Sequence, residues 1–144
     1  MIKAVLDANT LVSAALTNTT PPGQLLDACR AGQFELLISQ HLLTEVSNTL
    51  RKPYFQARLT SDQIAQFQLL LTEEATVVPL SVEVRGVATH PEDDLVLATA
   101  VSGQADYLVT GDGPLRRRVP TYQGVKLVTA REFAELIAQD GVSS

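Results

Sequence analysis

Five short apolar runs, at residues 2–6, 34–38, 76–80, 107–110 and 125–128, alternate along the chain with longer stretches of helical spacing. That alternation is the signature of an α/β fold built on a mainly parallel sheet. A first helix is expected from about Leu11, and Pro21 and Pro22 open a second through Leu25, Leu26 and Ala28, stopped by Gly32. Ser39 is a cap for a third over Gln40–Lys52, which Pro53 ends. Ser61 begins a fourth, Thr89 and Glu92 fit a capping box for a fifth reaching about Ser102, and a last helix spans Ala130–Gln139. A single domain over residues 1–144 accommodates the whole pattern.

Composition narrows the function classes. With 45% apolar and 19% charged residues and no Gly/Ser tract, the chain is globular throughout. Its one cysteine, Cys29, excludes an internal disulfide and a cysteine-based zinc site, and suits a reducing compartment. No basic, apolar leader opens the chain and no apolar run approaches the roughly 18 residues of a membrane span, so the expectation is a soluble cytoplasmic protein. The net charge of −5 argues against coating nucleic acid through an overall positive field, while leaving room for a local site. Arg116, Arg117 and Arg118 form the only basic run, just after Asp112.

The acids are placed where solubility alone does not need them. Asp7 follows directly on the first strand and Asp112 closely follows the fourth. In an open α/β sheet, ligand groups gather beyond the carboxyl ends of the strands. Counting about 100° per residue, Glu45 and Thr49 lie at the edge of the apolar arc Leu42, Leu43, Val46 and Leu50, while Asp94 shares a face with Ala98 and Val101. That count directs Asp94 into the domain beside the strand ends. Several carboxylates brought together repel unless a cation neutralises them, and a hard divalent ion such as Mg²⁺, or Mn²⁺ by the same oxygen preference, is the economical solution.

Each acid also has a plainer explanation. Asp7 and the Asp93–Asp94 pair fit helix caps and first-turn acids, Asp112 fits a turn, and Glu45 fits a rim residue near Arg51 and Lys52. All four together require a coincidence of facing and strand-end placement. His41 and His90 make no convincing metal pair, no phosphate-binding glycine motif is present, and Ser13 has no base nearby in sequence.

"VLDANTLVSA" at 5–14, Glu45 in "HLLTEVSNTL", "PEDDLVLATA" at 91–100 and "ADYLVTGDGPL" at 105–115 together resemble the PIN-domain family, in particular the VapC-like toxin components of toxin–antitoxin pairs. The resemblance covers nearly the whole chain in order. It implies a three-layer α/β/α fold with a central, mainly parallel sheet of about five strands. The family's acidic cluster carries over to Asp7, Glu45, Asp94 and Asp112, with Asp94 preferred because the family acid stands four residues before the first Ala of "LATA". Asp93 is then a partner in a second shell or at a second metal, and Asn9 and Thr110 match polar positions near the ion. The chain departs from the pattern at Pro114, where relatives often carry a further acid that would serve a second ion.

The activity so implied is a Mg²⁺- or Mn²⁺-dependent endoribonuclease that leaves a 3′-hydroxyl and a 5′-phosphate, with Arg116, Arg117 and Arg118 clamping phosphate beside the site. The family further implies a homodimer and an antitoxin whose tail covers the acidic groove. A haloacid-dehalogenase-like phosphatase would need a second Asp where Asn9 stands, and a receiver-like domain would need an acid pair that the first strand lacks. The alternative of another class is a non-catalytic PIN-fold scaffold that binds RNA or protein.

Overall fold

A computed structural model describes residues 1–143, and for residues 140–143 the backbone alone. The strands are β1 (Lys3–Leu6), β2 (Glu35–Ile38), β3 (Thr76–Val77), β4 (Tyr107–Val109), β5 (Thr121–Tyr122) and β6 (Val125–Val128). The helices are α1 (Ala8–Leu16), α2 (Pro21–Arg30), α3 (Gln40–Leu50), α4 (Pro53–Gln56), α5 (Ser61–Glu74), α6 (Pro91–Ser102), α7 (Gly113–Arg118) and α8 (Ala130–Ser143). The fold is the expected α/β class with a mainly parallel sheet, enlarged to six strands in the order β3-β2-β1-β4-β6-β5.

That order places the site. From β1 the chain winds outward through β2 to β3, then returns across the sheet by way of α6 to lay β4 on the other side of β1. Right-handed crossovers running in opposite directions put their helices on opposite faces. Accordingly, α6 packs against β1, β2 and β4, while α1 packs against α2 and α3, and α2 against α8. The carboxyl ends of β1 and β4 are thus the point at which the winding reverses, where the sheet leaves a crevice.

The core forms from the strand residues and the apolar helix arcs. Leu6, Leu36, Ile38 and Leu108 of the sheet and Leu11, Leu25, Leu42, Leu50, Leu97 and Phe133 of the helices are essentially inaccessible to solvent. Cys29 is buried with them. Ser39 caps α3 by accepting from the Leu42 N–H at 3.2 Å, and it also accepts the Thr99 hydroxyl at 2.9 Å, tying α3 to α6 inside the core.

Several local expectations shift. α3 ends at Leu50, and Pro53 starts the short α4 at its first-turn position, where a missing N–H costs nothing. The capping box proposed for α6 does not form: the cap is His90, without a side-chain hydrogen bond. A capping box occurs instead on α5, between Thr60 and Gln63. The unforeseen β5 pairs antiparallel with β6 around Gln123 (φ 47°) and Gly124 (φ 85°), the pair of left-handed residues that a tight two-residue hairpin turn demands.

Where α1 turns into α2, a Cβ on Gly23 would lie 2.0 Å from the Thr17 carbonyl oxygen, so the backbones approach more closely than any side chain permits. Gly23→Ala is expected to destabilise the fold by roughly 1–3 kcal/mol, the range for overpacking a dense site. A urea titration of both proteins checks this, and an unchanged midpoint contradicts it.

Candidate active site

Asp7 leaves β1 and caps α1, its Oδ1 accepting the Thr10 N–H at 2.8 Å. Its own N–H donates to the Val109 carbonyl at 3.0 Å, extending the β1–β4 pairing to the end of the strand. From the neighbouring strand end, Thr110 donates its hydroxyl to Asp7 Oδ2 at 2.7 Å and accepts the Asp112 N–H at 3.1 Å. Asp112 in turn caps α7 by accepting the Leu115 N–H at 3.0 Å. The two strand-end acids are therefore oriented by one buried threonine between them. The capping readings of Asp7 and Asp112 also hold, and they are compatible with a binding role because each carboxylate offers about four lone-pair sites.

Asp7 and Asp112, but not Thr110, line a cavity of about 670 Å³, together with Asn9, Glu45, Glu92, Asp93 and His90. Glu45 reaches it from α3, and Asp93 from the first turn of α6. Burial pushes the Glu45 carboxyl up, His41 opposes this, and Asp93, Glu92 and Asp7 add to it by repulsion. Burial likewise pushes Asp93 up, followed by the charges of Asp112 and Asp7, with His90 opposing and Glu92 adding. Four carboxylates from four distant parts of the chain thus crowd one another at the reversal point of the sheet.

One expected member of the cluster is elsewhere. Asp94 is buried, as the helical count indicated, but its carboxylate turns to the preceding loop. Its Oδ2 accepts the Gly86 N–H at 3.0 Å, and its Oδ1 accepts the N–H groups of Val87 at 3.2 Å and Ala88 at 2.7 Å. Asp94 lines a separate, mostly apolar cavity with Leu80, Val84 and Leu95. The acid brought to the site is Asp93, one residue and about 100° away around α6. Glu92 and His90, read from sequence only as helix-start residues, also face the acid cavity. The repeated mutual charges on Asp93 come from residues far off in sequence, which no local pattern displays.

Of the arginines, Arg116 is half-buried and donates Nη1 to the Thr110 carbonyl at 2.7 Å. It braces the turn that carries Asp112. Arg117 and Arg118 are exposed. The Arg117 guanidinium lies over Gly113, where an added Cβ would stand 3.0 Å from its Nη1 and 3.8 Å from Nη2 of Arg116.

The donor set suits a hard divalent cation: it is all oxygen, mostly carboxylate, and its members destabilise one another's charge. Among the described residues, no three Asp, Glu, His or Cys side chains stand close enough to one another to hold a metal ion as they are placed.

An acid whose folded pKa is raised prefers its protonated form in the folded state. Its contribution to stability is full below the unfolded value, about 3.9 for Asp, and is lost as pH rises through the raised folded value. In EDTA near neutral pH, Asp93→Asn is therefore expected to melt higher than the wild type, with the difference shrinking as pH falls towards 4. Thermal melts across that range test the crowding directly, and a lower melting temperature for the variant near neutral pH contradicts it.

A family model for the PIN domain matches residues 3–113 of the chain, a span that contains all four crowded acids and stops short of the arginine run. No curated protein matches significantly. Among solved structures, the VapBC2 complex of Rickettsia felis, bound to a DNA fragment from its promoter, contains a chain that superposes with a TM-score of 0.63 at 15% identity. The match covers 89% of this chain and 98% of that one.

Proposed function

The chain belongs to the PIN-domain family, and from that premise we propose that it is a divalent-metal-dependent endoribonuclease, the toxin of a toxin–antitoxin pair. The observation that carries this reading is the convergence of Asp7, Glu45, Asp93 and Asp112 on one cavity at the carboxyl ends of β1 and β4. Mg²⁺ or Mn²⁺ held by these carboxylates would neutralise phosphate charge and lower the pKa of an attacking water.

The chain's own residues supply the rest. Thr10 and Thr110 hold both oxygens of Asp7 in a fixed direction, and the α7 start holds Oδ1 of Asp112, so these two acids meet a ligand with little reorganisation. Asn9, exposed on the cavity wall, presents an amide to the sugar–phosphate backbone of RNA. Arg117 and Arg118 supply the positive charge that an acidic protein needs in order to hold a polyanion beside its acids. Arg116 works from behind, through the Thr110 carbonyl.

The structural neighbour from Rickettsia felis is a two-component VapBC complex, which supports an antitoxin as this chain's partner. A basic segment of that partner would find in the acid cavity the same counter-charges as a metal ion. A homodimer and a cytoplasmic setting complete the proposal, and among the described residues no helix is long and apolar enough to cross a membrane.

Incubation with labelled RNAs in Mg²⁺, Mn²⁺ or EDTA tests the reading. Cleavage is expected only with metal, with products bearing 5′-phosphates. Asp7→Asn and Asp93→Asn are each expected to slow it by about a hundredfold or more, the scale of losing one preorganised electrostatic group. Asp94→Asn, which alters the loop clamp, should lower the melting temperature and leave Mn²⁺ affinity close to that of the wild type. RNA binding without cleavage in every metal would instead favour a scaffold.

The arginine assignment has its own test. Replacing Arg117 and Arg118 with Ala is expected to weaken RNA binding across sequences and to flatten its salt dependence by about one unit of slope per lost phosphate contact. An unchanged slope removes both residues from the RNA path.

A further inference from the structure

Among the described residues, two side-chain atoms are enclosed from solvent without a hydrogen-bond partner: Nε2 of His41 and Oε2 of Glu45. Enclosed polar atoms are nearly always paired, because water has been removed and nothing has replaced it. One of these atoms is a donor when it carries the imidazole proton, and the other can only accept while the carboxyl is ionised. Both belong to α3, and they stand four residues apart, on neighbouring turns of the same face.

Helical side chains lean back towards the helix start, so the residue at i+4 covers the turn that holds residue i. Glu45 therefore reaches back over His41, towards the carboxyl edge of the sheet, and lines the acid cavity. His41 does not line that cavity. No side-chain hydrogen bond holds Glu45 elsewhere, whereas Asp7 and Asp112 are each held by backbone donors. Glu45 is thus the cavity acid on α3, and the other enclosed, unpartnered side-chain atom among the described residues belongs to the histidine one turn earlier.

We infer that His41 is a positioning residue for Glu45: the two enclosed atoms, unpaired in this structure, meet when an ion is bound, with Nε2–H donating to Oε2 so that Oε1 is presented to the divalent ion of the acid cavity. This rests on the metal-dependent reading above. The charge relation agrees with the placement, since His41 opposes the burial and the neighbouring acids that disfavour the ionised Glu45. A ligating carboxylate held through its other oxygen keeps its ligating direction, and partners of this kind typically contribute about 10–100-fold to metal affinity.

The test uses the full chain with His41→Phe, His41→Ala and His41→Gln variants, with Mn²⁺ itself as probe. Free Mn²⁺ is titrated by electron paramagnetic resonance, and melting temperatures are recorded in EDTA. His41→Phe and His41→Ala are expected to weaken Mn²⁺ binding about tenfold, and His41→Gln, whose amide can replace the Nε2–H, to restore most of it. In the protein loaded with diamagnetic Mg²⁺, the His41 Nε2 proton resonance should move when Glu45 becomes Gln, a measurement that stands even where a His41 variant fails to fold. Wild-type Mn²⁺ affinity in His41→Phe, no recovery in His41→Gln relative to His41→Phe, or a His41 resonance indifferent to Glu45→Gln would each overturn the inference. RNA cleavage is scored separately. A wild-type protein that binds Mn²⁺ with the expected His41 dependence but cuts no RNA would sink the ribonuclease reading and sustain the positioning role, whereas a wild type that binds no Mn²⁺ overturns both.

Discussion

The hydrogen bond from Thr110 to Asp7, 2.7 Å long and partly buried, joins the two strand ends around which the sheet reverses. The strand-end half of the candidate site is referred to it. The Asp7 N–H continues the β1–β4 ladder onto Val109, the Thr110 hydroxyl receives the Asp112 N–H, and Arg116 closes on the Thr110 carbonyl. Backbone pairing thus sets the separation of the two acids, and short side chains with few rotamers transmit it to the carboxylates. Sites carried on strand ends are held more rigidly than sites carried on loops.

Against that rigid pair, the two acids supplied by helices are less constrained. Glu45 and Asp93 are the carboxyls whose ionisation the fold disfavours, through burial first and through the other acids after it. A chain selected only for stability would not keep such a cluster, since neutral replacements would relieve the repulsion. The cluster makes physical sense when a cation enters the balance, and the charge lost to crowding becomes affinity for that cation.

The large elements were legible from spacing alone. Strand-length apolar runs between amphipathic stretches gave the fold class, and their ends located Asp7, Thr110 and Asp112. What escaped had no local signal. β5 is two residues long, and its pairing depends on a turn at Gln123–Gly124 that lacks the usual Asn-Gly form. The choice between Asp93 and Asp94 turned on which side of α6 meets the cavity. The count correctly buried Asp94 with Ala98, yet burial there leads to the three N–H groups of residues 86–88, whose need for an acceptor appears only once the loop is folded back. His41 was set aside as a metal ligand, and its relation to Glu45 is visible only through the two enclosed atoms left without partners.

The β1–β4 pairing has a consequence in time as well as in space. Thr110 and Asp7 are separated by 103 positions, and the strand that joins them is laid down only after three helical crossovers. Contacts of such long range form late, because loop closure must be met before any pairing rewards it. β1 finds β2 as a neighbour early, but Asp7 meets the hydroxyl that orients it only once Thr110, 103 positions later, is in place. A chain that stops short of β4 therefore carries Asp7 and Glu45 without Asp112 and without the threonine that fixes Asp7, so the acid cluster exists only in a nearly full-length fold.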